Sequence, residues 1–374
     1  MDISRDIDRD LPDVDRATLE MPPIERAETI PASWYVDERF HDFDREAIFA
    51  EHWRYVGPVA DVSEPGAYVQ VEVAGNPIVI VRDKEGTLRA FYNVCRHRGG
   101  PLVMDECGHT NVLQCKYHGW TYLLDGSLRG VPKFDRAELF DRKDYGLVPA
   151  TVDTWQDLVF VTLADDPPPL AEVLDGIVEQ IAPMRIDTKQ FARRATYDID
   201  CNWKVYVDNY LEGYHVPLVH PELNDMLSYR DYRTETREHY SVQSSPLQEG
   251  NESPYEGVGD AAYYYFVFPN VMLNVLPGRL QMNAVYPTAP DRARVIFDYY
   301  YDDVESADAR GRIEEDVALS DKIQQEDIEI CEYVQRGLES DAYDRGRFSV
   351  EMEAGVYHFQ RRLKNAYRAA LKRS

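Results

Sequence analysis

Two short stretches decide the fold: NVCRHRGGPLV at residues 93–103 and LQCKYHGWTYLLDG at residues 113–126. Cys95 and His97 stand as C-x-H in the first, and Cys115 and His118 as C-x-x-H in the second. Seventeen residues separate the halves. Each half follows a β-branched run (Ala90–Val94, then Val112–Gln114), so each pair sits on a turn at a strand end. Gly99, Gly100 and Gly119 let backbone N–H groups come close to an anionic centre. Two facing turns of this kind close a four-ligand cage. Two thiolates and two imidazoles suit a structural zinc, or a two-iron, two-sulfide cluster with both histidines on one iron. Zinc sites more often pair C-x-x-C with a helical H-x-x-x-H, whereas here each loop gives one ligand of each kind. Cys107, between the loops, reads as a packing or loop residue, and Trp120 as an apolar cover over the cage.

Outward from the cage, the texture from Tyr55 to Ala164 is that of a small antiparallel β domain. Val69–Val73, Pro77–Val81 and Leu158–Leu163 are further strand candidates, and Asp125–Gly126 turns a hairpin between 120–124 and 127–131. Before it, Phe43, Ala47, Ala50 and Trp53 recur at helical spacing, and 1–37 reads as an acidic, proline-bearing arm. The run DDPPP at 165–169 marks the clearest boundary. Beyond it come helical stretches near 170–181 and 203–214 and strands at 191–200, 262–268, 271–276, 279–287 and 293–301. A long helix over 309–338 and a last one over 351–373 complete the chain. Residues 241–260 read as a loop. The fold class is α+β, and the domains divide as arm 1–37, β domain with its leading helix 38–165, and sheet-plus-long-helix domain 166–374.

A second constellation lies in DNYLEGYHVPLVH, residues 208–220. His215 and His220 are five apart, which on one continuous helix would set them roughly 140° from each other. Pro217 is expected to break that helix after His215, so that both rings can face one point. Two imidazoles and a carboxylate make an open face for Fe(II). On the long helix the apolar stripe Ile313, Val317, Ser320, Ile323, Ile330, Val334 has Asp327 in its middle. A buried carboxylate needs a cation or strong hydrogen bonds, so the alternative is a salt bridge to a buried arginine. Glu326 and Glu329 fall off the stripe as solvated charges. Glu212 lies one helical turn before His215.

Composition narrows the remaining choices. The 374 residues carry 41 Lys+Arg against 67 Asp+Glu, a net charge of −26. Nucleic-acid and anionic-membrane partners are therefore disfavoured, since both are held by clustered cations. No apolar run approaches the roughly 18 residues of a membrane span, and the first twenty residues show no export signal. The location expected is the cytoplasm. Five cysteines cannot all pair, which suits an intracellular setting.

The 93–126 segment resembles the N-terminal domain of the Rieske non-haem iron oxygenases, and QQEDIEICEYVQRGLES at 324–340 resembles the stretch bearing that family's third iron ligand. The resemblance runs from Glu38 to Lys372. It implies a [2Fe–2S] cluster on Cys95, His97, Cys115 and His118, and a helix-grip catalytic domain holding Fe(II) on His215, His220 and Asp327. It also implies a separate NAD(P)H-dependent reductase, because no G-x-G-x-x-G opens a βαβ unit here. A head-to-tail homotrimer is implied as well, in which Glu212 links His215 to His97 or His118 of a neighbouring subunit. Asn209 and Tyr214 are supporting candidates. Many aromatic-ring members have aspartate at position 212, and glutamate resembles the branch acting on carnitine, glycine betaine or choline. The expected reaction is O2-dependent hydroxylation or demethylation of such a small molecule. An aromatic ring-hydroxylating dioxygenase and a non-catalytic electron carrier are the alternatives. The tyrosine clusters 263–265 and 299–301 offer faces for cation–π contacts, or are simply alternating strand residues.

Overall fold

The computed structural model describes residues 12, 14–247 and 261–373. Two compact units emerge: Phe49–Asp175, and a second that joins the segment up to Ile48 to everything from Gly176 onward. Among the described residues no helix is long and apolar enough to cross a membrane.

The first unit is built from β1 (Arg54–Pro58), β2 (Ala67–Val73), β3 (Asn76–Arg82), β4 (Leu88–Tyr92), β5 (Cys107–His109), β6 (Leu113–Gln114), β7 (Thr121–Tyr122), β8 (Leu128–Gly130), β9 (Pro149–Trp155) and β10 (Leu158–Thr162). Seven of them form an antiparallel sheet in the order β1-β10-β9-β4-β3-β2-β5, and β6-β7-β8 form a small second sheet. Strand β3 is apolar at consecutive positions because both faces are covered. Ile78 and Ile80 pack on one side with Val73 and Val161. Val79 and Val81 pack on the other with Cys95, Cys115, Trp120 and Tyr122. The two cysteine loops are thereby pinned to one face of the sheet. The proline run belongs here too, because Trp53 Nε1 donates to the Pro168 carbonyl at 2.8 Å.

The second unit's sheet comprises β11 (Gln190–Ile199), β12 (Arg233–Thr236), β13 (Tyr240–Pro246), β14 (Ala261–Val267), β15 (Val271–Leu276), β16 (Arg279–Ala289) and β17 (Arg292–Tyr301). Its order is β11-β17-β16-β15-β14-β13-β12, a meander with β11 added beside its last strand. Within the expected loop 241–260, residues 241–246 lie in β13, and 248–260 lie outside the described residues. The helices that carry or brace the candidate ligands of this unit are α1 (Glu38–Asp44), α2 (Trp203–Tyr210), α3 (Val216–Val219), α4 (Pro221–Met226), α5 (Ala307–Leu338) and α6 (Ala354–Arg373).

Helix α1 packs with this unit rather than with the β domain it precedes. Phe40 and Phe43 set their rings 5.8 and 4.9 Å from that of Tyr367 on α6. The buried Asp44 carboxylate accepts from Trp203 Nε1 at 2.8 Å, and from Lys204 and Tyr367. Upstream, Ile30 and Trp34 are buried in the same unit. The part of the arm that is described therefore has an apolar anchor, which its acidic composition hid.

Cross-strand pairing explains the tyrosine clusters. Tyr264, Asn274, Gln281 and Tyr299 are successive partners across four strands and share one face of the sheet, as do Leu276, Arg279 and Tyr301. Tyr263, Tyr265 and Tyr300 point the other way. Helix α5 lies over the first of these faces: Tyr299 Oη and Ser320 Oγ are 3.0 Å apart, and Tyr301 Oη donates to Asp316 at 2.5 Å.

Candidate metal centres

The two cysteine loops are built alike. Cys95 N donates to the Gly100 carbonyl (2.8 Å) and Gly99 N to the Cys95 carbonyl (3.0 Å). In the second loop Cys115 N donates to Trp120 (2.8 Å) and Gly119 N to Cys115 (3.1 Å). Gly99 and Gly119 hold φ of +73° and +74°, a region costly for residues with a side chain. Between the loops, Lys116 N donates to the Pro101 carbonyl at 3.0 Å. A Cβ on Gly100 would stand 3.0 Å from Cys115 Sγ, so the loops meet too closely for any larger residue to fit without movement.

This closure brings the four candidate ligands together. Cys95 and Cys115 are buried, and the His97 and His118 rings lie 4.8 Å apart. His97 Nδ1 is buried with no hydrogen-bond partner among the described residues, an arrangement that bonding to iron would satisfy. Burial pushes the Cys95 thiol up, and burial, then His118 and Arg98, push His97 down. Two sulfurs and two imidazoles gathered in this way fit a cluster, whose iron would take the cysteines as thiolates. Trp120 stacks on His97 at 4.8 Å and 9° between planes, and packs in one buried cluster with Cys95 and Cys115. Tyr122 was not singled out from the sequence: its hydroxyl lies 3.3 Å from Cys95 Sγ and accepts from Arg96 N at 3.0 Å. Cys107 is exposed on edge strand β5, apart from the cage.

In the second unit the chain leaves α2 at Tyr210 and makes a turn over 211–215 before the single turn of α3. Pro217 sits within the first turn of α3 rather than breaking a longer helix, because a proline there gives up no helical hydrogen bond. Pro221 opens α4 in the same way. His215 and His220 therefore cap the two ends of α3, with ring centroids 5.1 Å apart.

Asp327 from α5 completes a group whose candidate ligand atoms all lie within 4.8 Å of one another. His220 Nε2 is 2.9 Å from Asp327 Oδ1, and His215 Nε2 is 3.7 Å from the same oxygen. No arginine pairs with Asp327 among the described residues. Asn209 Nδ2 donates to Asp327 Oδ1 at 2.6 Å.

Each imidazole has a carboxylate behind it. His215 Nδ1 donates to Glu212 Oε1 at 2.7 Å, and His220 Nδ1 donates to Glu326 Oε2 at 2.7 Å. Holding Nδ1–H in this way turns both Nε2 lone pairs toward the common point, an arrangement typical of metal-bound histidines. Glu326 was expected to be a solvated charge, and that reading fails. Its backbone is off the buried stripe, but its longer side chain reaches back to His220. Burial alone would lower the His220 pKa, yet Asp327 and Glu326 outweigh it and raise it. The second Glu212 oxygen accepts from the backbone N–H of Tyr214 and of His215, while the Tyr214 side chain is exposed. The donor set fits Fe(II): two imidazole nitrogens and one carboxylate.

A cavity of about 90 Å³ reaches Asp327 and includes Tyr206, Tyr210, Tyr264 and Phe297 in its lining. Of the two tyrosine clusters only Tyr264 lines it. Arg279, also in the lining, is paired to Asp316 at 2.6 Å.

Two family models match the chain: the Rieske [2Fe-2S] domain over residues 52–150, and the catalytic domain of the ring hydroxylating alpha subunit over 186–369. The chloroplastic choline monooxygenase of Arabidopsis thaliana is 35% identical over 350 residues, covering 90% of this chain and 82% of that protein. The carnitine monooxygenase oxygenase subunit of Escherichia coli (strain K12) is 30% identical over 357 residues, 92% and 95% of the two chains. Among solved structures, the quaternary ammonium Rieske monooxygenase CntA superposes with a TM-score of 0.82 at 30% identity, covering 91% of this chain and 96% of that one. Naphthalene 1,2-dioxygenase from Rhodococcus sp. shares the fold at 22% identity, with a TM-score of 0.74 over 92% and 94%.

Proposed function

Because the chain belongs to the Rieske oxygenase alpha subunits, we propose that it hydroxylates or oxidatively demethylates a small quaternary ammonium compound, as the oxygenase component of a multicomponent system. The observation that carries this reading is the lining of the cavity beside Asp327, in which Tyr206, Tyr210, Tyr264 and Phe297 stand together. A trimethylammonium head is a compact cation without hydrogen-bond donors, so aromatic side chains suit it. Tyrosine and phenylalanine faces attract such a cation by about 0.5–2 kcal/mol each. The relatives named for choline and carnitine support the same class.

His215, His220 and Asp327 are the residues that would hold Fe(II), and Cys95, His97, Cys115 and His118 those that would hold the [2Fe–2S] cluster. When bound, these groups would supply O2 activation with electrons delivered one at a time. The chain's own side chains do the positioning. Glu212 and Glu326 fix the two imidazoles by their Nδ1–H bonds, and Asn209 fixes the carboxylate of Asp327. The cavity's apolar wall, including Leu223, Met226 and Leu276, excludes water from the reacting carbon. Electrons come from a separate NAD(P)H-dependent reductase. In a homotrimer, the Glu212 carboxylate would connect His215 to a cluster histidine of the neighbouring subunit. Free, unpaired cysteines suit the cytoplasm.

The test is oxygen uptake by purified protein with reductase, offered choline, carnitine, glycine betaine and a benzoate-type compound. The expected result is turnover with one of the first three, giving formaldehyde on demethylation or an aldehyde on hydroxylation of choline's alcohol carbon. Turnover of the aromatic acid alone would overturn the proposal.

A further inference from the structure

The cavity's polar wall has a group that the mechanism does not use. Ser320, Gln324 and Asp327 stand at i, i+4 and i+7 on α5, so they share the helix face that looks into the cavity. The Gln324 side chain is 2% exposed. Its Oε1 accepts from Tyr206 Oη at 2.7 Å, which orients the amide, and its Nε2 has no partner among the described residues. A buried N–H left unpaired is costly, and buried polar groups in native proteins are nearly always paired. An acceptor brought in by a ligand would complete this one.

We infer that Gln324 is a specificity residue: its amide N–H donates to an oxygen on the tail of the substrate, and so selects quaternary ammonium compounds that carry a carboxylate or hydroxyl over plain alkyl ones. This rests on the quaternary ammonium reading and deepens it. The two recognition elements share the cavity lining. Tyr206, Tyr210, Tyr264 and Phe297 supply ring faces for the cationic head, while Gln324, one helical turn before Asp327, takes the oxygen. A substrate gripped at both points is held in one orientation relative to the metal ligands.

The test uses the holoenzyme and three probes: choline, glycine betaine, and propyltrimethylammonium, which carries no oxygen. Binding is measured by calorimetry, and kcat and KM are measured separately, for the wild type and for Gln324→Met and Gln324→Glu. Gln324→Met should weaken an oxygen-bearing probe about tenfold and leave propyltrimethylammonium within about twofold. Gln324→Glu tells the two oxygen sources apart, because a carboxylate there accepts choline's hydroxyl but repels the glycine betaine carboxylate. Equal weakening of all probes by Gln324→Met would assign Gln324 to holding Tyr206 and overturn the inference. If the methionine variant does not fold, unchanged affinity for all three probes in Gln324→Glu overturns it instead. A wild type that binds none of the three removes the quaternary ammonium reading, and this inference with it.

Discussion

In the proposed iron site, Glu326 would set the strength of metal binding without touching the metal. It accepts the Nδ1–H of His220 at 2.7 Å and so aims the opposite nitrogen at Asp327. Removing such a partner typically costs 10–100-fold in metal affinity. Glu326→Ala should therefore lose iron during dialysis against a chelator while acid-labile sulfide is retained, and Glu329→Ala, on an exposed position, should keep both. Equal iron retention in the two variants would sink this role. Asp208, one residue before Asn209, carries a pH-dependent term. Burial pushes its carboxyl up to about 7, although Tyr35 donates to it at 2.5 Å and Gln360 at 3.3 Å. The folded pKa lies above the unfolded value of about 3.9, so the native state binds the extra proton between about pH 4 and 7. This contribution is fully present below that window and is lost as pH rises through it. Asp208→Asn, measured by urea midpoints, should flatten the fall in stability from about pH 4 to 7. A slope unchanged from wild type would mean that Asp208 is ionised throughout.

At the level of elements, local pattern was legible wherever one period governed the segment. Ile313, Val317 and Ser320 on α5 are buried at helical spacing, as their sequence suggests. Further along, the stripe was followed by hydrophobicity instead of angle, and it strayed: Val334 is 46% exposed, while Gln324, Cys331 and Gln335 are buried. Glutamines can occupy that face because their amide oxygens accept hydrogen bonds there, Gln324 from Tyr206 and Gln335 from Asn202 N at 3.0 Å. Pattern alone cannot reveal a partner 133 residues away. Strand β9 escaped for a related reason, since it has no fully buried position and only two small apolar side chains, Ala150 and Val152, mark its inward face. The join between α6 and the turn after α2 supplies a contest of magnitudes. At Gly355, inside α6, alanine would gain about 1 kcal/mol of helix propensity. Its Cβ, however, would lie 2.4 Å from the Leu211 carbonyl oxygen, immediately before Glu212. Overpacking of this kind costs about 1–3 kcal/mol and exceeds the gain. Gly355→Ala should melt about 2–4 °C lower by calorimetry and hold its mononuclear iron more weakly. A higher melting temperature would show that the helices part without strain.

For the whole molecule, the net charge of −26 sets two effects against each other as ionic strength changes. Self-repulsion among surface carboxylates destabilises the compact state, and the same field draws a cationic substrate toward the protein. Surface ion pairs such as Arg294–Asp198 and Lys322–Glu222 are worth only about 0–1 kcal/mol each, and salt screens them too. With 67 acidic residues against 41 basic ones, repulsion outweighs these attractions. Raising salt from about 0.01 M to about 1 M shortens the screening length from roughly 30 Å to 3 Å. The melting temperature should therefore rise across that range, while kcat/KM for choline falls and that for a zwitterion such as glycine betaine changes less. Cation–π contacts inside the cavity lie largely beyond the reach of dissolved ions, so the loss should appear in capture rather than in kcat. A choline kcat that fell in step with kcat/KM would place the salt effect on the site itself and not on the long-range field.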